Sequence, residues 1–128
     1  MAEVARQRSK EENLKNALQQ IRKGLDDYKR ATEEGRVRMA SGESGYPRNL
    51  HMLVEGIDDA KNPGVRIFFL RRIPRDPLHP DFSIPAEKTW GLRSYKSTAE
   101  EPTAGEDVFD VFTQYDGVAL DGTRYRTW

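Results

Sequence analysis

The sequence predicts an α+β fold in which a long N-terminal helix packs across a small antiparallel β-sheet. Three observations predict it. Residues 1–34 carry apolar side chains at helical spacing, residues 35–89 are broken by prolines and glycines, and residues 90–128 hold short strand-like runs divided by turn signals. Together they are expected to form one domain, 1–128, with a helix at 1–34, a connecting region at 35–89 and antiparallel strands at 90–128. A chain of 128 residues suits one domain and is short for two.

The helix is the clearest element. Val4 to Glu34 contains no proline and a single glycine, Gly24. Leu14, Leu18, Ile21, Leu25 and Tyr28 follow one another at steps of four, three, four and three, which lines them up on one stripe. Glu11 with Lys15, and Asp26 with Arg30, have the favourable order for i,i+4 support on the solvent face. Gly35 stands where a C-terminal capping glycine belongs. Such a helix is on the order of 45 Å long, longer than a small domain is wide. Its stripe begins at Leu14, behind Arg6, Arg8, Lys10, Glu11 and Glu12. The C-terminal half is therefore expected to pack on a body and the N-terminal half to project. A two-helix coiled coil has little support, because the run supplies only about two heptads where three or four are usual.

Gly35 to Pro47 reads as a loop. Leu50, Leu53, Val54 and Ile57 predict a short second helix over Asn49–Ile57, and Asn62-Pro63-Gly64 a turn. Val65–Leu70 is compact, apolar and suited to an extended conformation, and Arg75 to Pro85 is an irregular proline-rich connection. Trp90–Tyr95 and Asp107–Gln114 are strand candidates, the second rich in Val and Phe. Asp116-Gly117 and Asp121-Gly122 mark turns, and Thr123–Trp128 is expected to be the last strand of a meander.

Composition narrows the function. The 21 basic residues balance the 21 acidic ones, so the basic surplus usual for a nucleic-acid binder is missing. There is no cysteine, which removes disulfides, thiol catalysis and cysteine zinc sites. With a mean hydropathy of −0.84, the chain has no apolar run near the roughly 18 residues that span a bilayer, and no signal peptide is visible.

Motif order then brings in a resemblance. The stretch LKNALQQIRKGLDDY (Leu14–Tyr28), the pair Tyr46-Pro47 followed by NLHMLVEGI, the segment FLRRIPRDPL (Phe69–Leu78), and Trp90-Gly91 through Tyr95 followed by DVFDVFTQYDG follow one another as in the type IV pilin and pseudopilin family. The chain resembles most the major pseudopilins of type II secretion, and the likeness covers most of its length. It implies a filament subunit supporting protein export, with other pilin or pseudopilin subunits and secretion-system components as partners. It also implies a periplasmic domain anchored in the bacterial inner membrane through an apolar N-terminal helix. That helix and its leader are missing from this sequence, so the chain is expected to be the body without its anchor. In the same family the loop between the last strands often binds calcium. Here that loop is shorter, from Asp116 to Thr123, and the stretch from Leu78 to Lys88 is longer than the family pattern.

Candidate chemistry is sparse. Asp116 and Asp121, five residues apart beside glycines, are the candidate calcium ligands, with Asp110 or Glu106 within reach in sequence. Calcium takes about six to eight oxygens, and the competing reading is two plain hairpin turns. His51 and His79 have no ligand spacing, and no serine has a nucleophile context. Arg71, Arg72 and Arg75 form a basic cluster that reads either as a docking patch for an acidic face of a neighbouring subunit or as a solvated loop. The aromatic residues read as packing. No catalytic set is expected and no enzyme. The expected function is a structural subunit whose charged early turns, Arg6 to Glu12, meet neighbouring subunits. A monomeric module that docks a partner protein through its long helix is the alternative.

Overall fold

The computed structural model describes residues 2–128. Helix α1, Ala2–Glu33, runs unbroken for 32 residues, about 48 Å. Its buried side is the stripe read from the spacing, Leu14, Leu18, Ile21, Leu25 and Tyr28, widened by Ala17, Gly24 and Ala31. Leu14 and Ile21 are fully buried, and each such side chain stabilises the fold by roughly 1.5–3 kcal/mol. The C-terminus closes as the capping glycine requires. Gly35 takes φ 75°, its N–H donates to the Thr32 carbonyl, and the Arg36 N–H donates to the Ala31 carbonyl. These two bonds form a Schellman motif that satisfies the last carbonyls of the helix.

The charge pairs on α1 differ from those read from spacing. Asp27, not Asp26, collects Lys23 at 2.8 Å and Arg30 at 3.3 Å. Glu11 does not lie on the solvent face with Lys15. It is only 9% exposed and faces the body.

Beyond α1 the short helix α2 is tighter than expected, His51–Glu55, and ends at Gly56 with φ 85°. Gly56 has no room for a side chain, because the Ile67 carbonyl and the Phe68 ring lie 2.9 Å from where a Cβ would stand. Strands β1, Ile57–Asp58, and β2, Arg66–Ile67, pair antiparallel around the Asn62-Pro63-Gly64 turn. Strands β3, Trp90–Arg93, and β4, Asp110–Thr113, pair antiparallel with Trp90 opposite Thr113 and Arg93 opposite Asp110. The meander expected over 90–128 is thus one two-stranded sheet, β3–β4, and the other two-stranded sheet, β1–β2, lies in the connecting region. Thr123–Trp128 is not a strand. It makes one bridge, Val118 with Arg124, and then a 3-10 turn at Tyr125–Thr127. The turn swings the Tyr125 side chain into the core, where it is 3% exposed, and stacks Trp128 edge-on against it at 5.2 Å.

The proline-rich connection is irregular but firmly tied. Asp76 is 1% exposed. Its carboxylate accepts the Thr113 hydroxyl at 2.6 Å and the Leu78 N–H at 2.9 Å, and its own N–H donates to Thr89 Oγ1 at 3.0 Å. The Trp90 indole N–H donates to the Pro74 carbonyl at 2.7 Å. Pro74-Arg75-Asp76-Pro77 is therefore a strap that fixes the connection to β3 and β4. The core joins α1 to Leu50, Leu53, Trp90, Val108, Val111, Ala119 and Tyr125.

Candidate assembly interface

Two surfaces of α1 carry the polar and charged groups that a partner can reach. The first is its N-terminal end. Gln7 donates through Nε2 to the Tyr125 hydroxyl at 2.9 Å and to the Val118 carbonyl at 3.2 Å. One turn later the Glu11 carboxylate accepts the Tyr125 hydroxyl at 2.7 Å and the Leu120 N–H at 3.0 Å. Burial, then the bond to Glu11, pushes the Tyr125 hydroxyl above its ordinary pKa. The docked part of the helix thus starts at Gln7, two turns before the expected start at Leu14. Glu11 consequently leaves the set of early charges open to neighbours. Arg6, Arg8, Lys10 and Glu12 remain exposed, Arg6 at 3.8 Å from Glu3. Val4 on the helix and Val118 and Leu120 on the last loop are large apolar side chains left 42–53% exposed. The bonds from Gln7 and Glu11 bring Val118 and Leu120 against the helix, so charged turns and an apolar rim share one end of the molecule.

The second surface flanks residues 22–29. Arg22 donates to Asp110 at 2.8 Å, to the Trp128 carbonyl at 2.8 Å and to the Val111 carbonyl at 3.3 Å. Lys29 donates to the Ser44 carbonyl at 3.0 Å and lies over the Tyr46 ring at 5.6 Å. Tyr46, Tyr95 and Phe109 form an aromatic cluster with centroids 5.0–6.0 Å apart. Beside it opens a cleft of about 780 Å³ bordered by Glu43, Glu106 and Asp107. Asp107 accepts the Tyr95 N–H at 3.0 Å and the Ser44 hydroxyl.

The candidate calcium ligands are engaged otherwise. Asp116 is exposed and pairs with Arg124 at 3.3 Å. Asp121 accepts the Thr123 hydroxyl at 2.6 Å and the Thr123 N–H at 2.9 Å, and these two bonds hold its carboxyl below the ordinary value. Asp110 is held by Arg22, and Glu106 borders the aromatic cleft. Among the described residues no group of three or more His, Cys, Asp or Glu side chains gathers in metal-binding geometry. His51 stands 3.8 Å from Glu55 on α2, and His79 accepts the Asp81 N–H through Nδ1. The arginine cluster divides. Arg75 donates to the Asp81 and Ile84 carbonyls and holds the connection, whereas Arg71 and Arg72 are exposed and form no side-chain bond among the described residues. Among the described residues no helix is long and apolar enough to cross a membrane.

Sequence reasoning missed the buried role of Glu11, although it stands three residues before Leu14 on the same stripe. It also missed the Arg22–Asp110 bond and the aromatic cleft, whose members lie 88 and about 50 residues apart. No protein family matches the chain. No curated protein and no solved structure is similar to it.

Proposed function

We propose that the chain is the globular body of a pilin-like structural subunit, one that assembles into a type II secretion pseudopilus or a related filament supporting protein export. One observation carries the reading: a 32-residue helix lies lengthwise on a small body and leaves its charged first turns, with the apolar rim of Val4, Val118 and Leu120, uncovered at one end. That end is where a filament subunit meets the helices of its neighbours. The order of Tyr46-Pro47, the Pro74-Arg75-Asp76-Pro77 strap and Trp90-Gly91 supports the same reading, since each motif has a structural task in the body. Pro47 accepts the Val108 N–H at 2.8 Å, Asp76 fastens the strap, and Gly91 lets the Phe112 ring lie across β3. In this reading the partners are other copies and secretion-system components, the body faces the periplasm, and an apolar helix ahead of these residues anchors it in the inner membrane. The subunit works by assembly and carries out no chemistry of its own.

The test is expression from the native gene, including whatever codons lie ahead of Met1, in cells carrying a secretion apparatus. Filaments released by shear should contain this chain when viewed by immunogold electron microscopy. A chain recovered only as a monomer bound to an unrelated protein, with no filaments, overturns the proposal in favour of a docking module.

A further inference from the structure

We infer that the cleft beside Tyr46 and Tyr95 is a binding site for a neutral saccharide, whose ring lies on the exposed tyrosine while its hydroxyls meet the charged rim. The site lies wholly within one copy of the chain and is independent of assembly.

The walls of the cleft are tied in place. The Ser44 hydroxyl and the Tyr95 N–H both donate to Asp107, which fastens the 42–46 loop to the segment after β3. Helix α1 holds the same loop: Lys29 donates to the Ser44 carbonyl and the Thr32 hydroxyl to the Gly45 carbonyl, each at 3.0 Å. The Ser94 N–H donates to the Thr103 carbonyl at 2.8 Å, and a Cβ on Gly105 would stand 2.8 Å from that of Ser94. A ligand therefore meets a surface already formed, and little freedom is lost by the protein on binding.

The lining decides the class of ligand. A volume of about 780 Å³ suits a small molecule, for which about 300–1,000 Å³ is usual. The only hydrophobic side chains in it are the two tyrosines, and the rest is glycine, serine and charged residues. A lipid tail or an apolar peptide anchor finds no aliphatic pocket there. Charge is balanced as well. Glu43, Glu106 and Asp107 are matched by Arg48, Lys96 and Lys29, the last lying 5.6 Å over the Tyr46 ring. An ionic ligand would upset that balance, and a neutral one leaves it intact.

An aromatic face and a set of hydrogen-bonding groups stay free. The Tyr46 and Tyr95 rings stack at 6.0 Å with an interplanar angle of 25°, and Phe109 braces both edge-on at 5.0 and 5.6 Å. That spacing leaves no slot for a planar base between them. Tyr95 is 58% exposed, so a ligand lies on its outer side. Arg48 only approaches Glu43, at 3.8 Å, with its side chain 74% exposed. Lys96 and Glu106 are exposed and form no side-chain hydrogen bond among the described residues. A sugar ring presents both halves at once: C–H groups on its flat face for the tyrosine, and hydroxyls around its edge for carboxylates, guanidinium and ammonium.

The experiment titrates the 128-residue chain with the neutral tetrasaccharides cellotetraose, maltotetraose and chitotetraose, by isothermal calorimetry and by amide chemical shifts. At least one should bind, with shifts confined to 42–48 and 94–107 and an affinity unchanged by salt. Tyr95→Ala should weaken that binding about tenfold, and Tyr95→Phe should keep most of it. Glu106→Gln, at an exposed position, should weaken it severalfold. Phe82→Ala, which removes an exposed aromatic ring elsewhere, should leave it unchanged. Circular dichroism confirms that each variant is folded. Adenosine and an arginine-rich peptide are the rival probes. Binding of no tetrasaccharide, tighter binding of either rival, or wild-type affinity in both Tyr95→Ala and Glu106→Gln overturns the site. None of these outcomes bears on filament assembly, which the shear experiment judges on its own.

Discussion

Glu11 and Tyr125 meet across 114 residues of sequence, and their bond decides where the helix stops being free. Removing the Tyr125 hydroxyl leaves the buried Glu11 carboxylate with one donor fewer and Gln7 with one of its two acceptors, the Val118 carbonyl. Tyr125→Phe should therefore lower stability by about 1–3 kcal/mol in urea unfolding. The pH dependence has a definite sign. The folded Tyr125 hydroxyl titrates above its ordinary value of 10.0, because burial and Glu11 disfavour the phenolate. Its contribution is complete below the unfolded value and is lost as pH rises past 10 toward the folded value. Wild type should thus lose stability on the alkaline side more steeply than Tyr125→Phe. The variant's deficit should shrink in that range, measured by melting between neutral pH and the alkaline limit. Little of this was legible beforehand: the spacing allowed Glu11 on the stripe, but a carboxylate is rarely buried without a partner, and the partner comes from the far end of the chain.

At the scale of elements, the strong local signals were the ones the sequence could carry. The stripe of α1 and its capping glycine need only neighbours within a turn or two, and both are present as read. The last strand failed because Thr123–Trp128 has strand-forming residues yet is claimed by tertiary packing, with Tyr125 drawn into the core and the Trp128 carbonyl held by Arg22. Two truncations test how α1 is docked. Deleting residues 2–6 removes no bond to the body, so the melting temperature should stay within a degree or two of wild type. Deleting residues 2–13 removes Gln7 and Glu11 and leaves the Leu120 N–H and the Tyr125 hydroxyl without acceptors, at about 1–3 kcal/mol each. Equal melting of the two truncations would place the docking boundary back at Leu14. The hairpin of β3 and β4 has its own weak point. A Cβ on Gly91 would stand 2.3 Å from the Phe112 ring, so Gly91→Ala should cost about 1–3 kcal/mol as the ring is displaced, read as a lower urea midpoint with an unchanged slope.

For the whole molecule, the coarse α+β plan was legible because it depends on the order of periodic and broken segments. The way the proline-rich connection is fastened to the β3–β4 hairpin was not, because it depends on Asp76, whose bonds to Thr89 and Thr113 span 13 and 37 residues. The last loop is the place where a bound ion would register globally. Any ligand that binds only the folded chain must raise its melting temperature, by an amount that grows with the ratio of free ligand to dissociation constant. Asp116 is taken by Arg124, and Asp121 by Thr123, so a calcium ion would have to displace a cation from one carboxylate and two donors from the other. Calcium also requires about six to eight oxygens. Melting in excess calcium and in excess chelator should therefore coincide. An upward shift of several degrees in calcium, abolished in Asp116→Asn or Asp121→Asn, would show instead that the loop rearranges to hold the ion.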